Sequence, residues 1–266
     1  MASTPTLIPR KALVAGMRTG IMHIGDELLT GDIDPYPKEI IAMMRDRGSN
    51  LDMLEVLGDR EDDIVKGFQH AQALGIDILI VTGGLGPTLD DVTREALARY
   101  LGADLVVDEE AERALLEALS RWHGRSELLN EIQRRMARVP RGTKALRNIT
   151  GAACGVEATI GGMIIFLLPG FPNEMVPMFR EHILPRIQES GDMELTVQVW
   201  QGESILEPLF QEVVSAHRVR IASLPSTRWR EEGNKVIFKG PREQAEEARS
   251  HFLRLLEKLP QDVSFR

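Results

Sequence analysis

Several features are scarce or missing in this sequence of 266 residues, and each absence excludes a class of protein. Cys154 is the only cysteine, so no disulfide forms within the chain, and this predicts a reducing, cytoplasmic setting. No apolar run approaches the roughly 20 residues that a membrane-spanning helix needs, and residues 1–20 lack the apolar stretch of a signal peptide. A net charge of −8 argues against broad nucleic-acid binding, which usually shows as a basic face. The predicted partner is therefore a small molecule.

Three common site motifs are also absent. The chain has neither a G-x-G-x-x-G dinucleotide fingerprint nor the Lys-Ser/Thr pair of a P-loop. Its six histidines are scattered, with no H-x-x-x-H or H-E-x-x-H spacing, which argues against a zinc site. No catalytic histidine signature accompanies Cys154, so this thiol is interpreted as a small buried side chain.

Strand-like and helix-like segments alternate along the first two thirds of the chain. Apolar runs at 19–25, 50–58 and 76–84 predict strands, and helical spacing at 35–48, 61–75 and 93–102 predicts the helices between them. This alternation is typical of an α/β fold with a parallel sheet. Two further helices are predicted at 108–122 and 126–138, and a last buried strand leads into a Gly/Pro loop and a helix that ends near residue 187.

The composition changes near residue 190. Beyond it, the pattern is strand, helix, strand, strand, helix, which predicts a small α+β domain of roughly 75 residues. We therefore expect an extension at 1–18, a main α/β domain at 19–190 and the α+β domain at 191–266.

Glycine-containing loops follow three of the predicted strands. In an open parallel sheet, ligands bind beyond the carboxyl ends of the strands. Glycine lets backbone N–H groups approach a ligand closely, and such a backbone nest binds phosphate without a lysine. The three loops are residues 25–31 (GDELLTG), 82–91 (TGGLGPTLDD) and 168–174 (LPGFPNE).

Carboxylates accompany these loops. Asp26, Glu27, Asp59, Asp90 and Asp91 all fall at or just after strand ends, and a hard divalent cation could bridge such carboxylates to phosphate oxygens. This predicts a site at which glycines hold phosphate and acids hold metal or water.

Structural roles explain the same residues. Thr88 and Asp91 have the spacing of an N-cap and its capping-box partner, and Asp59 could cap helix 61–75. Asp26 and Glu27 could be solvated turn residues. Pro172 could mark a helix start, with Glu174 as a favourable first-turn charge.

The stretches IGDELLTG (24–31), TGGLGPTLDDVT (82–93) and LPGFPNEM (168–175), in this order, carry a family resemblance. They resemble the molybdopterin-binding (MoCF, MogA/MoeA-like) superfamily, and most closely the amino-terminal region of CinA, the competence/damage-inducible protein family. The resemblance covers residues 19–190, and the tail also looks like the small extension of CinA-type proteins. It implies a three-layer αβα sandwich, a phosphate on the TxGG loop, and metal and nucleotide chemistry at Asp59 and Asp91. Family members are usually homo-oligomers, so a dimer or trimer is expected.

The sequence departs from the family pattern in places. Asp-Pro-Tyr (34–36) stands where Asp/Asn-Thr-Asn is usual, and Gly-Ala-Ala-Cys-Gly (151–155) stands where Gly-Thr-Ala-Pro-Gly is usual. His23 is also unusual, and a lone histidine in a strand is more often a core residue than a ligand. CinA proteins often carry a carboxyl-terminal nicotinamide-nucleotide deamidase domain, for which no room is expected here.

Two functions follow from the residues and the resemblance together. The first is a metal-dependent pyrophosphatase that cleaves ADP-ribose or a similar diphosphate to AMP, using Mg²⁺, Mn²⁺ or Co²⁺. The alternative is a module that binds molybdopterin without cutting a bond. Catalytic candidates are Asp91, Asp59 and Glu27, and metal candidates are Asp26, Asp59 and Asp91. The ligand-binding candidates are Gly25, Thr82, Gly83, Gly84, Leu85, Gly86, Pro87, Thr88, Asp90, Asn130, Gln133, Pro169, Gly170, Pro172 and Glu174.

Overall fold

The computed structural model describes residues 17–34, 37–123, 129–189 and 192–259. These residues fall into two compact units, which divide between Gln188 and Glu189. No helix within the described ranges is both long enough and apolar enough to cross a membrane. The predicted extension at 1–18 lies outside the described residues except for Met17 and Arg18.

The first unit alternates strands and helices, as its sequence pattern predicts. In chain order its elements are β1 (Thr19–Ile24), α1 (Asp26–Leu29), α2 (Lys38–Asp46), β2 (Leu51–Leu57), α3 (Glu61–Ala73), β3 (Ile78–Thr82), α4 (Thr93–Leu101), β4 (Leu105–Val107), α5 (Glu109–His123), α6 (Glu131–Arg134), a 3₁₀ turn (Arg135–Ala137), β5 (Arg138–Pro140), β6 (Lys144–Leu146), β7 (Gly155–Ile160), β8 (Met163–Leu168) and α7 (Pro172–Met178). A π-helical turn (Phe179–Ile183) and a 3₁₀ turn (Leu184–Arg186) follow α7.

A six-stranded sheet forms the centre of this unit. Its strand order is β2-β1-β3-β8-β7-β6. The strands β2, β1, β3 and β8 run parallel, while β7 and β6 pair antiparallel to their neighbours. The predicted α/β class with a mostly parallel sheet is confirmed.

Apolar side chains cover both faces of the sheet, because successive residues of a strand point to opposite sides. Met22 and Val81 belong to a core that includes Phe68 of α3 and Leu97 of α4. Ile21 and Ile80 face the other way, into a second core with α2 and α7. Helices on both faces give the three layers expected for this class.

One local prediction is met only in part, and another is wrong. Of the helix predicted at 126–138, the described residues 131–137 are helical, as α6 and one 3₁₀ turn, and residues 138–140 form β5. Strand β5 pairs with β4 and buries Val139 in the core, which ends the helical segment at residue 137. Asp59 does not cap α3, whose N-cap is Arg60.

The second unit contains a three-stranded antiparallel sheet and two long helices. Its elements are β9 (Asp192–Val199), α8 (Glu203–Ala216), β10 (Arg220–Leu224), α9 (Trp229–Glu232), β11 (Asn234–Pro241) and α10 (Arg242–Glu257), with strand order β10-β11-β9. Its core is built around Phe210, Phe238 and Phe252. Apart from the four-residue α9, which the sequence pattern did not predict, the order strand, helix, strand, strand, helix matches the sequence prediction.

Candidate functional site

The three glycine-containing loops meet at one edge of the sheet. They follow β1, β3 and β8, whose carboxyl ends lie side by side because these strands are parallel neighbours. They enclose a cleft of about 810 Å³. Of the residues predicted for the site, the cleft is lined by Gly25, Glu27, Asp59, Thr82, Gly83, Gly84, Leu85, Gly86, Pro87, Thr88, Asp90, Asp91, Pro169, Gly170, Pro172 and Glu174.

Only glycine fits at two positions of the loop after β3. Gly83 has φ +96° and Gly84 φ +65°, a region that L residues avoid. A Cβ on Gly83 would overlap the carbonyl oxygen of Ile24, and one on Gly84 would overlap the Thr93 hydroxyl. The Gly83 N–H donates to the Leu168 oxygen at 3.0 Å, which ties this loop to the end of β8. The loop is therefore held against both neighbouring strand ends.

Asp91 holds the same loop from within. Its Oδ1 accepts the Gly86 N–H at 2.8 Å, and its Oδ2 accepts the Thr88 N–H at 2.8 Å and the Thr88 hydroxyl. Helix α4 begins at Thr93 with Val92 as its N-cap, so the contact between Thr88 and Asp91 fixes the loop and is not a capping box. Both carboxylate oxygens of Asp91 are thus engaged by the loop.

Two arginines bind the carbonyl groups of this loop from outside. Arg135 Nη1 donates to the Thr88 oxygen at 2.9 Å, and Arg94 Nη1 donates to the Leu85 oxygen at 2.7 Å. Arg94 is almost fully buried, at 3% exposure. The Leu85 carbonyl accepts from Arg94 and the Gly84 carbonyl accepts the Thr93 N–H at 3.2 Å, while the N–H groups of Gly84 and Leu85 make no hydrogen bond to any described residue.

The loops after β1 and β2 also bring acidic residues to the cleft or beside it. Asp26 and Asp59 exchange backbone-to-carboxylate bonds: the Asp26 N–H donates to Asp59 Oδ2 at 2.9 Å and the Asp59 N–H to Asp26 Oδ1 at 3.2 Å. Desolvation raises the pKa of Asp59, and the charges of Asp26, Glu27 and Asp90 raise it further against a backbone hydrogen bond that lowers it. Asp59 therefore holds a proton more readily than an ordinary aspartate does.

This donor set does not fit a preformed metal centre. In the part of the chain that the structure describes, no group of three or more His, Cys, Asp or Glu side chains is arranged to hold a metal ion. Asp91 is engaged by its own loop, and Asp26 turns toward Asp59 and does not line the cleft. Of the catalytic and metal candidates, Glu27 and Asp59 are left.

The loop after β8 is fixed by a residue that the sequence patterns missed. Pro172 is the first residue of α7 and Glu174 lies in its first turn, as predicted. Asn148 Nδ2 donates to Glu174 Oε2 at 2.7 Å and to the Ala153 oxygen at 3.1 Å, while its Oδ1 accepts the Gly151 N–H at 2.8 Å. Buried Asn148 thus joins the segment 148–153 to the start of α7.

His23 lies at the base of the cleft. It pairs with Thr82 across β1 and β3, and its Nδ1 contacts the Thr82 hydroxyl at 2.5 Å. Burial lowers the pKa of His23 to about 4, so the imidazole is neutral at pH 7. Its Nε2 is buried without a partner among the described residues.

Asn130 and Gln133 are not brought to the cleft. They form a reciprocal capping box at the start of α6, with the Gln133 N–H donating to Asn130 Oδ1 at 2.8 Å and the Asn130 N–H to Gln133 Oε1 at 3.0 Å. Their N-x-x-Q spacing is the spacing of a helix start.

The chain is similar to known proteins over most of its length. The family profile described as "Probable molybdopterin binding domain" matches residues 20–189. A CinA-like protein from Geotalea daltonii is 39% identical over 176 residues, which are 66% of this chain and 42% of that protein. Protein PF0476 of Pyrococcus furiosus is 35% identical over 216 residues, covering 77% of this chain and 84% of that protein.

A solved structure shares the fold. It is described as the protein CinA with unknown function from Thermoplasma acidophilum, and it is 29% identical with a TM-score of 0.55, over 62% of this chain and 95% of that one. The chain belongs to the molybdopterin-binding domain (MoCF) family and is a CinA-like member of it.

Proposed function

We propose that the first unit binds a phosphorylated pterin of the molybdopterin type in this cleft. The observation that carries the proposal is the loop after β3, whose Gly84 and Leu85 N–H groups have no partner among the described residues. Such unpaired N–H groups next to the start of a helix favour an anion. The family's description supports a pterin over other phosphorylated ligands.

The rest of the cleft suits the ring of such a ligand. A pterin is a flat heterocycle with N–H donors on its aminopyrimidinone edge. Apolar side chains such as Leu85 and Met136 line the same cleft as the carboxylates of Glu27 and Asp59. Apolar walls with a few acceptors are the usual composition of a small-molecule site.

Direct titration with molybdopterin, followed by the fluorescence of the pterin, tests the proposal. We expect saturable binding by the parent and at least tenfold weaker binding by Gly84→Ala, whose Cβ overlaps Thr93. Gly102→Ala is the matched control, because Gly102 has nearly the same φ of +64° but ends α4 with open space around it. Absence of binding by the folded parent would refute the proposal, as would equal effects of the two substitutions.

A second candidate function is hydrolysis of an ADP-ribose-type diphosphate to AMP. The observation that favours it is the raised pKa of Asp59, which lines the cleft. A carboxylate with a raised pKa at the edge of a cleft is a candidate general base or acid. A divalent metal would have to enter with the substrate, since the described residues form no preformed metal centre.

Incubation with ADP-ribose and Mg²⁺, Mn²⁺ or Co²⁺, followed by assay of AMP, tests this candidate. We expect Asp59→Asn to abolish AMP release and Asp63→Asn, a half-buried aspartate of α3 that does not line the cleft, to retain it. If the folded parent releases no AMP with any of the three metals, hydrolysis of ADP-ribose is excluded and pterin binding remains as the proposed function.

Assembly as a dimer or trimer stays a prediction for solution measurements.

A further inference from the structure

The glycine loop lacks a lysine, yet a cation lies directly behind it. Arg94, the second residue of α4, is 3% exposed. An arginine side chain stays protonated in proteins, so this buried group carries a full positive charge.

Only neutral oxygens surround this charge. Its Nη1 donates to the Leu85 oxygen at 2.7 Å, and its Nη2 donates to the oxygens of Cys154 at 2.8 Å and Met136 at 3.2 Å. The Nε atom is buried and has no partner. Among the described residues, no carboxylate forms an ion pair with Arg94, whereas Arg99 on the same helix pairs with Glu61 and Asp62.

A buried charge without a counter-charge is costly, because carbonyl dipoles replace hydration but do not neutralise it. Arg94 holds the carbonyl of the peptide between Leu85 and Gly86, and the N–H on the other side of that peptide donates to Asp91 Oδ1. The two preceding N–H groups, those of Gly84 and Leu85, have no partner among the described residues, and both residues line the cleft. In an interior of low dielectric, the attraction between a charge and an anion behind one layer of backbone is weakly screened.

We propose that Arg94 supplies the positive charge that holds the ligand's phosphate on the glycine loop, acting through the loop backbone and without touching the ligand. It does what a P-loop lysine does, but from behind the loop. This inference shares one premise with the proposed function, that an anion binds to the glycine loop. It does not depend on the pterin ring, so it holds for any phosphorylated ligand.

Inorganic phosphate is the probe, because it separates the anion site from the identity of the ring. The ¹⁵N–¹H spectrum of the whole chain is recorded during a phosphate titration, with the amide signals of Gly84 and Leu85 as reporters. The variants are Arg94→Gln, which removes the charge and keeps an amide donor, and Arg94→Lys, which keeps the charge. Arg99→Gln is the matched control, because it removes an equal charge from the exposed side of the same helix.

We expect phosphate to shift the two amide signals of the parent. Arg94→Gln should bind phosphate about tenfold more weakly, Arg94→Lys within about threefold of the parent, and Arg99→Gln like the parent. Equal affinity of Arg94→Gln and the parent would overturn the inference. So would a loss in Arg94→Lys as large as in Arg94→Gln, which would show that only the hydrogen bonds matter.

Two further results keep the test decisive. If neither Arg94 variant folds, the Arg94 Nε–H signal of the parent decides, because it must shift when phosphate binds. No response of the loop amides to phosphate in the parent also overturns the inference. If phosphate binds as expected but molybdopterin does not, the proposed function fails and the role of Arg94 stands.

Discussion

The stability of the first unit should fall in mild acid because of His23. In the unfolded chain the imidazole has the ordinary pKa of 6.5, whereas burial lowers it to about 4 in the folded protein. Between these values the unfolded state binds a proton that the folded state does not bind, so the free energy of unfolding decreases as the pH falls. The slope is about 1.4 kcal/mol per pH unit, which amounts to about 2.5 kcal/mol between pH 7.5 and pH 4.5.

The measurement must follow the first unit alone, because a chain with two compact units need not unfold in one step. Urea unfolding at pH 7.5 and 4.5, followed by the amide protection of β1 and β3 peptides, gives the free energy of that unit. In His23→Leu, the difference in the free energy of unfolding between pH 7.5 and pH 4.5 should be about 2.5 kcal/mol smaller than in the parent, whatever the substitution does to stability at pH 7.5. His70→Gln is the control, since His70 is more than half exposed. If His23→Leu keeps the full pH dependence of the parent, the reasoning from burial is wrong.

Two other substitutions test the loop and the second unit separately. Asp91→Asn should raise the hydrogen-exchange rates of the Gly86 and Thr88 amides at least tenfold, because an NH₂ group replaces one of the two oxygens that accept from them. Unchanged exchange rates would mean that other contacts hold the loop. Phe238 is fully buried in β11, so Phe238→Ala should destabilise the second unit by about 3–5 kcal/mol and leave the hydrogen-exchange protection of the β1 amides unchanged. An equal loss of protection in β1 would show that the two units unfold together.

The sheet and its loops could be predicted from the sequence because their signals are local. An apolar run such as residues 76–82, followed by Gly83 and Gly84, indicates a buried strand and a turn without reference to the rest of the chain. Parallel strands then bring their carboxyl ends to one edge, so three loops distant in sequence were expected at one cleft. The structure places them there.

The groups that hold the loops could not be predicted in the same way. Arg94 follows a helix start in a polar stretch, a pattern typical of a solvated side chain, and it is buried only because β5 and β7 bring the carbonyl groups of neighbouring segments to it. Asn148 carries no motif, and its role depends on a partner 26 residues away. Strand β4 has three residues, too few to show a period, so its pairing with β5 was missed.

Burial of Cys154 also decides how the protein can be labelled. Its thiol is 3% exposed and donates to the Met136 oxygen at 3.2 Å, and desolvation raises its pKa. Thiolate is the reactive form, so maleimides should leave the native chain unmodified at neutral pH. Leu89, at the tip of the glycine loop, is 90% exposed. A fluorophore attached through Leu89→Cys would therefore sit at a single known position, beside the cleft, without removal of the native cysteine.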